Sequence, residues 1–458
     1  MAVTRQALPK LVLAGAAAAA ALLLLRALLL LRDLTRLDLE RAALLPVAAF
    51  AGLCAVATAL PLLALRLPPP RRANVALAVG SAAAAAYAVE LAMGRGAAAG
   101  RLWADRARAA AQMGRPGAPA YPSIEPVRLV WARGPDLPST LTVDGVPTLP
   151  LATRARSRLV SCRDEPDGGW RAYETDEHGF LNPPGLWART DVGLAAVGDS
   201  FTAGSCVPFG SSMVAGLRGR FPDAVNLGMP GSGPLLMLAE VREYLPALRP
   251  REVLWCHFAG NDLLDLRRER DHPLLLRYLD DGFRQGLLQK QEAIDTALDQ
   301  YLERHLGPAF ERAARTPLSA VDVLALRQLR FRIGLVFTDP SAGAPTDDEY
   351  ALFAAILEGA RRTVASWGGT LRFVYLPADA PRWHPARAAE VAQTGRVRAR
   401  TLAVVRGLSI PVIDVGAAFA AQPDARALFA CPECHYTAAG YRVAADTILA
   451  ALSVAATP

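Results

Sequence analysis

Five short apolar runs, separated by stretches with helical periodicity, dominate the chain from residue 192 onward. This alternation is typical of a parallel sheet whose two faces are both covered by helices. We therefore predict an α/β fold: a three-layer, flavodoxin-like domain with a doubly wound sheet of five parallel strands. The predicted strands are 193–197, 224–227, 252–258, 370–376 and 410–415, and the predicted helices are 211–220, 235–245, 348–367, 385–406 and 438–452.

Residues 1–93 have a different composition, rich in alanine and leucine and poor in charge. They contain three apolar stretches, at 11–31, 42–65 and 73–89, each close to the roughly 20 residues that a membrane-spanning helix requires. Arg26 lies near the end of the first stretch, where its long side chain can reach the lipid headgroups. A signal peptide is the alternative for the first stretch, but the two later stretches favour a membrane anchor of about three transmembrane helices.

The rest of the chain divides into a connector at 94–190, with frequent glycine and proline, and the α/β domain at 191–454. Connector runs at 127–131 and 141–143 have the composition of strands. A helical insertion at 263–345 follows the third predicted strand. It is either a cap that binds substrate or a structural flap.

Charge and topology restrict the partners of the chain. The formal net charge is +7, but the basic residues form no compact stripe and no aromatic platform accompanies them, so nucleic acid is not an expected partner. The sequence leaves any protein partner unknown. With an inside amino terminus and three spans, the α/β domain would lie outside the cytoplasmic (inner) membrane, in an extracytoplasmic or periplasmic position.

Residues suited to catalysis follow three of the predicted strands. Ser200, in Gly-Asp-Ser, lies on a tight strand-to-helix turn; Gly231 belongs to a glycine-rich run; and Asn261 follows the third strand. Taken singly, each is explained equally well as a helix cap or an ordinary turn. Together they lie at one edge of the sheet, where the backbone N–H groups of Ser200 and Gly231 and the amide of Asn261 could bind an oxyanion.

His435 lies just before the last predicted helix. A serine nucleophile needs a base within hydrogen-bonding distance, and a histidine on the loop after the fifth strand can approach the loop after the first. A lone histidine on a loop is usually only solvated, so His435 acquires significance from its combination with Ser200. We predict that Ser200 is the nucleophile and His435 its base.

In this order and spacing, Ser200, Gly231, Asn261 and His435 resemble the four sequence blocks of the SGNH/GDSL hydrolase superfamily. The resemblance covers about 192–452. It implies a flavodoxin-like fold and acyl transfer through a covalent serine intermediate, with no metal and no cofactor.

The resemblance also extends to 173–180, which is similar to the segment before the serine block in many envelope-associated members. One position departs from the family pattern: an aspartate usually lies three residues before the histidine, and this sequence has Pro432 there. Members resembling the alginate O-acetyltransferases place an aspartate two residues before it, where this sequence has Glu433. The resemblance thus implies Glu433 as the third catalytic residue; if Glu433 points away, Ser200 and His435 act as a dyad.

The function that the resemblance implies is a membrane-anchored serine esterase or O-acyltransferase. Its substrate would be an acylated glycan, with acyl (chiefly acetyl) esters of cell-envelope polysaccharide. One alternative is a lipid or lysophospholipid esterase, since an anchor would hold the site near a bilayer. The other is a catalytically inactive envelope scaffold, which the missing aspartate would explain.

Four of the six cysteines lie outside the membrane stretches and the core strands: Cys162, Cys206, Cys431 and Cys434. In an oxidising compartment they could form two disulfides that staple the catalytic loops. Zinc binding by Cys431 and Cys434 is an alternative, although a structural zinc site usually has a second pair at similar spacing. For Cys206, a buried free thiol is the alternative.

Overall fold

The computed structural model describes residues 2–35, 41–94, 99–114, 120–132, 136–162, 169–190, 192–315, 344–378, 388–430 and 434–454, with the single positions 323, 326 and 329. The chain forms two compact units. The first comprises Met1–Ala98, Arg315–Ala344 and Pro381–Arg396, and the second comprises Ala99–Ala314, Pro345–Ala380 and Val397–Pro458.

Three helices begin the first unit: α1 (Ala2–Thr35), α2 (Arg41–Ala64) and α3 (Pro69–Gly94). Two stretches in them, Ala7–Leu29 and Pro69–Met93, are long and apolar enough to cross a membrane by length and composition. The apolar part of α2, Ala48–Ala64, is shorter. Within the described residues, two helices rather than the predicted three therefore meet the length of a bilayer span.

From Ala99 onward the described residues form ten strands and thirteen α-helices. The strands are β1 (Ala120–Pro122), β2 (Leu141–Val143), β3 (Val146–Thr148), β4 (Arg158–Val160), β5 (Ala172–Glu174), β6 (Leu194–Gly198), β7 (Val225–Asn226), β8 (Glu252–Phe258), β9 (Thr370–Leu376) and β10 (Val412–Asp414). The helices are α4 (Ala99–Met113), α5 (Val127–Val130), α6 (Ser200–Ala203), α7 (Met213–Leu217), α8 (Pro234–Leu248), α9 (Asp262–Glu269), α10 (Pro273–Arg277), α11 (Gln291–Tyr301), α12 (Gly307–Arg315), α13 (Asp347–Ala365), α14 (Ala388–Gly407), α15 (Val415–Ala420) and α16 (Ala438–Val454).

The central sheet has the order β10-β9-β8-β6-β7, and every neighbouring pair is parallel. This is the flavodoxin-like order, so the predicted five-stranded parallel sheet is confirmed. The two long inner strands, β8 and β9, have the predicted bounds. The edge strands β7 and β10 are shorter than predicted, because each pairs with a strand on one side only.

Alternate residues of the inner strands face opposite sides of the sheet, as strand geometry requires. On β8, Val253 and Trp255 belong to the cluster that packs beneath α8 and α13. Leu254 and Cys256 belong to the cluster that packs beneath α7 and α16. Both faces of the sheet are therefore buried, which is why each strand is a continuous apolar run in the sequence.

The connector contributes a three-stranded sheet of order β1-β4-β5 and the β2-β3 hairpin. The prediction of a strand at 127–131 is wrong, because Pro126, with φ −50°, starts a helical turn that continues as α5. The insertion starts at the end of β8 and then packs on the connector. The backbone N–H of Ala155 donates to Asp295 at 3.0 Å, and that of Leu149 donates to Gln285 at 2.9 Å.

Candidate active site

Ser200 begins the short helix α6, directly after the buried strand β6 and the dipeptide Gly198-Asp199. The Asp199 side chain caps this helix by accepting the Phe201 N–H at 2.9 Å. A side chain at position 198 would collide with Thr202 and with the carbonyl of Cys256, 2.8 Å from an ideal Cβ. The Gly-Asp-Ser order thus allows a sharp turn that exposes the Ser200 hydroxyl above the sheet.

His435 reaches Ser200 from the loop that precedes α16. Its Nε2 atom lies 2.9 Å from the Oγ of Ser200. The His435 carbonyl accepts the Ala430 N–H at 3.0 Å, so the histidine backbone is fixed by the same loop. The structure therefore brings the predicted nucleophile and the predicted base into hydrogen-bonding contact across 235 positions of sequence.

Aromatic rings hold the imidazole of His435 from one side. Phe201 lies with its ring centroid 4.9 Å from that of His435 and stacks on Phe258 at 3.6 Å. Tyr436, which is fully buried, contacts the edge of Phe201 and donates its hydroxyl to the Pro377 carbonyl at 2.6 Å. This wall restricts rotation of the ring and excludes water from one face of the pair.

A disulfide faces the other nitrogen of the ring. Cys162 and Cys206 are bonded, with Cα atoms 5.1 Å apart, and their Sγ atoms lie 3.9 Å and 3.3 Å from His435 Nδ1. Two of the four cysteines predicted as possible disulfide partners therefore pair with each other, and Cys206 is not a free thiol. The bond joins the connector to the serine loop and not to the histidine loop. Cys434 is also disulfide-bonded. Cys431 and Glu433 lie outside the described residues, as does Pro432.

Gly231 lies on the loop after β7, the neighbour of β6 in the sheet. Its φ is +81°, a conformation that glycine adopts without strain, and an ideal Cβ at this position would lie 2.8 Å from Val127 of the connector. The same loop is tied to the serine turn by the Met229 N–H, which donates to the Gly198 carbonyl at 3.0 Å. The loop of Gly231 therefore packs directly beside Ser200.

Asn261 follows β8, the other neighbour of β6, and caps α9 with its backbone. Its Nδ2 atom donates to Asp265 Oδ2 at 2.8 Å. Burial raises the pKa of Asp265 to about 6, although Arg268 and the amide of Asn261 oppose that shift. Ser200, Gly231 and Asn261 thus lie at the carboxyl ends of three adjacent strands, which is where the sequence predicts an oxyanion-binding site.

Two buried carboxyl groups lie beneath this edge, and sequence reasoning assigned them no role. Burial, reinforced by Asp262, raises the pKa of Asp199 well above its ordinary value. Burial, reinforced by Asp265, does the same for Asp262. Both shifts favour the uncharged acid. His257, beside Asp262 at 3.2 Å, is kept neutral because burial lowers its pKa to about 3.

The upstream segment 173–180 supports the site through Asp176. This buried carboxylate accepts the N–H of His178 and Phe180, and also the side-chain amide of Asn182 at 2.8 Å. Asn182 in turn bonds both backbone groups of Asn226 on β7, at 2.8 Å and 2.9 Å. The segment therefore closes the edge of the central sheet.

No protein family profile matches the sequence, and no curated protein matches it. Several solved structures are similar. An α/β hydrolase from the metagenome of Lake Arreo, Spain, is 19% identical, with a TM-score of 0.32 over 59% of this chain and 98% of its own.

Two further solved structures are esterases or lipases by description. The lipase/acylhydrolase of Enterococcus faecalis is 15% identical, with a TM-score of 0.32 over 57% of this chain and 96% of its own. An acetyl xylan esterase from Geobacillus stearothermophilus is 17% identical, with a TM-score of 0.31 over 57% and 94%. At TM-scores of 0.31–0.32 these likenesses decide neither the fold nor the activity, so the chemistry of this chain has to follow from the side chains of its own site.

Proposed function

We propose that this chain is a serine-dependent ester hydrolase in which Ser200 is the nucleophile and His435 the general base. The observation that carries the proposal is the 2.9 Å contact between Ser200 Oγ and His435 Nε2, at the start of a helix and at the carboxyl edge of a parallel sheet. A capping serine needs no such partner, whereas an acyl-transfer nucleophile does.

The reaction follows from this arrangement. Ser200 Oγ attacks the ester carbonyl while His435 Nε2 takes the hydroxyl proton. The backbone N–H groups of Ser200 and Gly231 and the amide of Asn261 stabilise the oxyanion, and His435 then returns the proton to the leaving alcohol. Water, activated by the same histidine, releases the acyl group. If a sugar hydroxyl replaces water, the same residues perform acyl transfer.

Glu433 is the proposed third residue of the site. A carboxylate bonded to Nδ1 would hold the imidazole in the tautomer that accepts a proton at Nε2. Without that carboxylate, Ser200 and His435 would act as a dyad. Replacement of Glu433 by Gln separates the two cases, since a triad loses most of its hydrolysis and a dyad does not.

The proposed substrate class is an acyl ester, chiefly acetyl, of a cell-envelope polysaccharide. Support comes from the resemblance of 173–180 and of the position of Glu433 to envelope-associated O-acetyl esterases and O-acetyltransferases. The apolar helices α1 and α3 favour one alternative, a lipid or lysophospholipid esterase, because they would keep the site near a bilayer.

Membrane anchoring at the cytoplasmic membrane, with the α/β domain on its extracytoplasmic side, belongs to the same proposal. Its support is the pair of stretches Ala7–Leu29 and Pro69–Met93. Retention of the full chain in membranes after an alkaline carbonate wash is the expected result. Release into the supernatant would contradict it. Double replacement by Leu22→Arg and Leu77→Arg should weaken retention, since each charge at a span costs about 3 kcal/mol.

The hydrolase activity is tested with the full chain, purified in detergent, on p-nitrophenyl acetate. Ser200→Ala should abolish hydrolysis, while Ser211→Ala, a replacement on the same loop outside the catalytic contacts, should leave it intact. Parallel incubations with an acetylated glycan, an unacetylated acceptor glycan and a lysophospholipid identify the substrate class. Equal rates for wild type and Ser200→Ala on every ester would refute the serine mechanism.

A further inference from the structure

A cleft of about 560 Å³ lies between the connector and the serine loop that follows Ser200. The connector contributes Arg158, Trp170 and Arg171 to its lining, and the serine loop contributes Phe209. The volume falls within the range of small-molecule sites, roughly 300–1,000 Å³. The hydrolysis reaction proposed above uses none of the lining side chains, so the cleft has no role yet.

The cleft lies next to the catalytic pair along the chain's covalent and hydrogen-bonded connections. The Arg171 N–H donates to the Cys162 carbonyl at 3.1 Å. Cys162 is bonded to Cys206 of the serine loop, whose Sγ lies 3.3 Å from His435 Nδ1. A substrate that is held at Ser200 and extends past this disulfide therefore enters the cleft.

Two aromatic rings give the cleft flat apolar surface. Phe209 is 38% exposed, and Trp170 is partly buried. The guanidinium of Arg106 lies 5.6 Å from the centroid of the Trp170 ring and donates to Glu125 at 3.0 Å, so the indole is held in place before a ligand binds. Arg218 lies in the same way 5.7 Å from the Phe209 ring. Rings of this kind offer a large contact area at low entropic cost, and the C–H face of a sugar can pack on them.

The charged side chains among the described residues that line the cleft are Arg158 and Arg171. Arg158 donates through Nη1 to Glu174 at 2.6 Å, but the Glu174 side chain is 68% exposed, and such a surface pair contributes little. A guanidinium has five N–H donors in a planar fork that matches a carboxylate, so Arg158 can bind a second carboxylate beside Glu174. Two guanidinium groups favour an anionic ligand and disfavour a buried acyl chain.

We propose that this cleft binds an acidic sugar residue of the substrate. The rings of Trp170 and Phe209 pack on the sugar, and the guanidinium groups of Arg158 and Arg171 bind its carboxylate. The proposal rests on the proposed function and narrows it, because the polysaccharide that carries the ester is then a polyanion. The bound sugar is a neighbour of the acylated one, so its binding holds the polymer in register with Ser200.

Isothermal titration calorimetry of the full chain in detergent tests the cleft with tetragalacturonate and with cellotetraose, an uncharged tetrasaccharide. Wild type should bind tetragalacturonate at least about ten-fold more tightly, and salt should reduce this preference. Arg158→Gln/Arg171→Gln should abolish the preference, and Trp170→Ala should weaken binding of both sugars. Arg361→Gln/Arg362→Gln, which removes the same charge from α13, should keep the preference.

A conservative variant guards against misfolding of the cleft. Arg158→Lys/Arg171→Lys keeps both charges but lacks the planar fork, so its affinity for tetragalacturonate should lie between those of wild type and Arg158→Gln/Arg171→Gln. The Tm of each variant should match that of wild type. Hydrolysis is then compared on an acetylated oligogalacturonate and on p-nitrophenyl acetate. In Arg158→Gln/Arg171→Gln the ratio of kcat/KM for the first ester to that for the second should fall at least about ten-fold.

Equal affinity of wild type for the two tetrasaccharides would overturn the proposal, as would an unchanged preference in Arg158→Gln/Arg171→Gln. Tighter binding of lysophosphatidylcholine than of tetragalacturonate would overturn it too. Hydrolysis of p-nitrophenyl acetate by a protein that fails these binding tests would leave the serine mechanism standing without the acidic substrate. Binding of tetragalacturonate through Arg158 and Arg171 in a protein that hydrolyses no ester would instead overturn the proposed function and leave the sugar site standing.

Discussion

At the scale of single residues, the orientation of the Asn261 amide depends on Asp265. One N–H of Asn261 Nδ2 is donated to Asp265 Oδ2 at 2.8 Å, which fixes the plane of the amide. The second N–H can donate to the oxyanion of the proposed reaction. A donor that is already oriented costs no reorganisation when charge develops on the substrate, which is the condition for effective electrostatic stabilisation.

We therefore expect Asn261→Ala to lower kcat by about 10²–10³-fold, with KM changed by less than about three-fold. Asp265→Asn should have a smaller effect of the same kind, because the amide of Asn261 loses its anionic partner but keeps its position on the chain. Steady-state kinetics on p-nitrophenyl acetate measures both. A rise in KM at unchanged kcat would assign Asn261 to substrate binding.

Gly231 is constrained by its φ of +81° and by Val127. In Gly231→Ala the strained backbone should cost about 1–2 kcal/mol of unfolding free energy, and the clash with Val127 a further 1–3 kcal/mol. The double variant Gly231→Ala/Val127→Ala should remove the steric part, while the backbone part persists. Chemical denaturation checks this, and a double variant no more stable than Gly231→Ala would show that the contact with Val127 is unimportant.

At the scale of elements, edge strand β7 is only two residues long and is completed by a side chain. Asn182 accepts the Asn226 N–H and the Arg218 guanidinium, and donates to Asp176 and to the Asn226 carbonyl. Asn226 and Asp176 are buried, and Arg218 is partly buried. Loss of this amide leaves several buried polar groups unsatisfied at once.

Asn182→Ala is accordingly expected to lower the free energy of unfolding by about 3–5 kcal/mol. Asn182→Asp is the matched comparison, since it keeps the acceptors for Asn226 and Arg218 but loses the donor and faces Asp176. Both should be less stable than wild type in chemical denaturation. A loss below about 1 kcal/mol in Asn182→Ala would mean that water replaces the amide.

Helix α9 ends in Glu269, whose buried side chain accepts the N–H of Gly233 at 2.6 Å and of Leu235 at 2.8 Å. Burial raises its pKa to about 8. Because the pKa is raised, the unfolded chain loses its proton at lower pH than the folded protein. Protonated Glu269 makes its full contribution to the free energy of unfolding below about pH 4.5. Between there and pH 8 this contribution decreases by about 1.4 kcal/mol for each pH unit.

Wild type should therefore have a lower Tm at pH 8 than at pH 5, and Glu269→Gln should reduce this difference because it cannot ionise. Thermal unfolding of the full chain in detergent between these pH values measures the effect. Identical pH dependence in wild type and Glu269→Gln would show that Glu269 is not the titrating group.

The inner elements were predictable from sequence and the peripheral ones were not. Strands β8 and β9 are buried on both faces, so their bounds coincide with their apolar runs. The bounds of β7 depend on hydrogen bonds from Asn182, 44 residues away in sequence, which no local pattern encodes. Residues 127–131 are apolar enough for a strand, but Pro126 and the packing of Val127 on Gly231 produce a helical turn.

The same contrast holds for the candidate site. Ser200, Gly231, Asn261 and His435 were candidates in the sequence because each follows a strand or precedes a helix of the predicted sheet, and the structure brings Ser200 and His435 into contact. The disulfide partner of Cys206 was not found. Its position depends on how the connector folds against the α/β domain, and the spacing of cysteines in sequence does not determine it.

At the scale of the whole molecule, the connector completes the α/β domain. It supplies Cys162 to the disulfide behind His435, Val127 to the loop of Gly231, and Asn182 to the sheet edge. The insertion, in turn, rests on the connector through Asp295 and other polar contacts. The connector from Ala99, the insertion as far as Ala314 and the catalytic loops therefore belong to one compact unit, whereas Arg315–Ala344 belong to the other.

The central claim is that this unit makes Ser200 nucleophilic through His435. A fluorophosphonate forms a covalent adduct only with a serine that has such a base, and peptide mass spectrometry identifies the modified residue. The full chain should carry the adduct on Ser200, whereas His435→Gln, folded to the same Tm, should react at least about 10²-fold more slowly. An unmodified Ser200 in the folded wild type, or equal labelling in His435→Gln, would contradict the account.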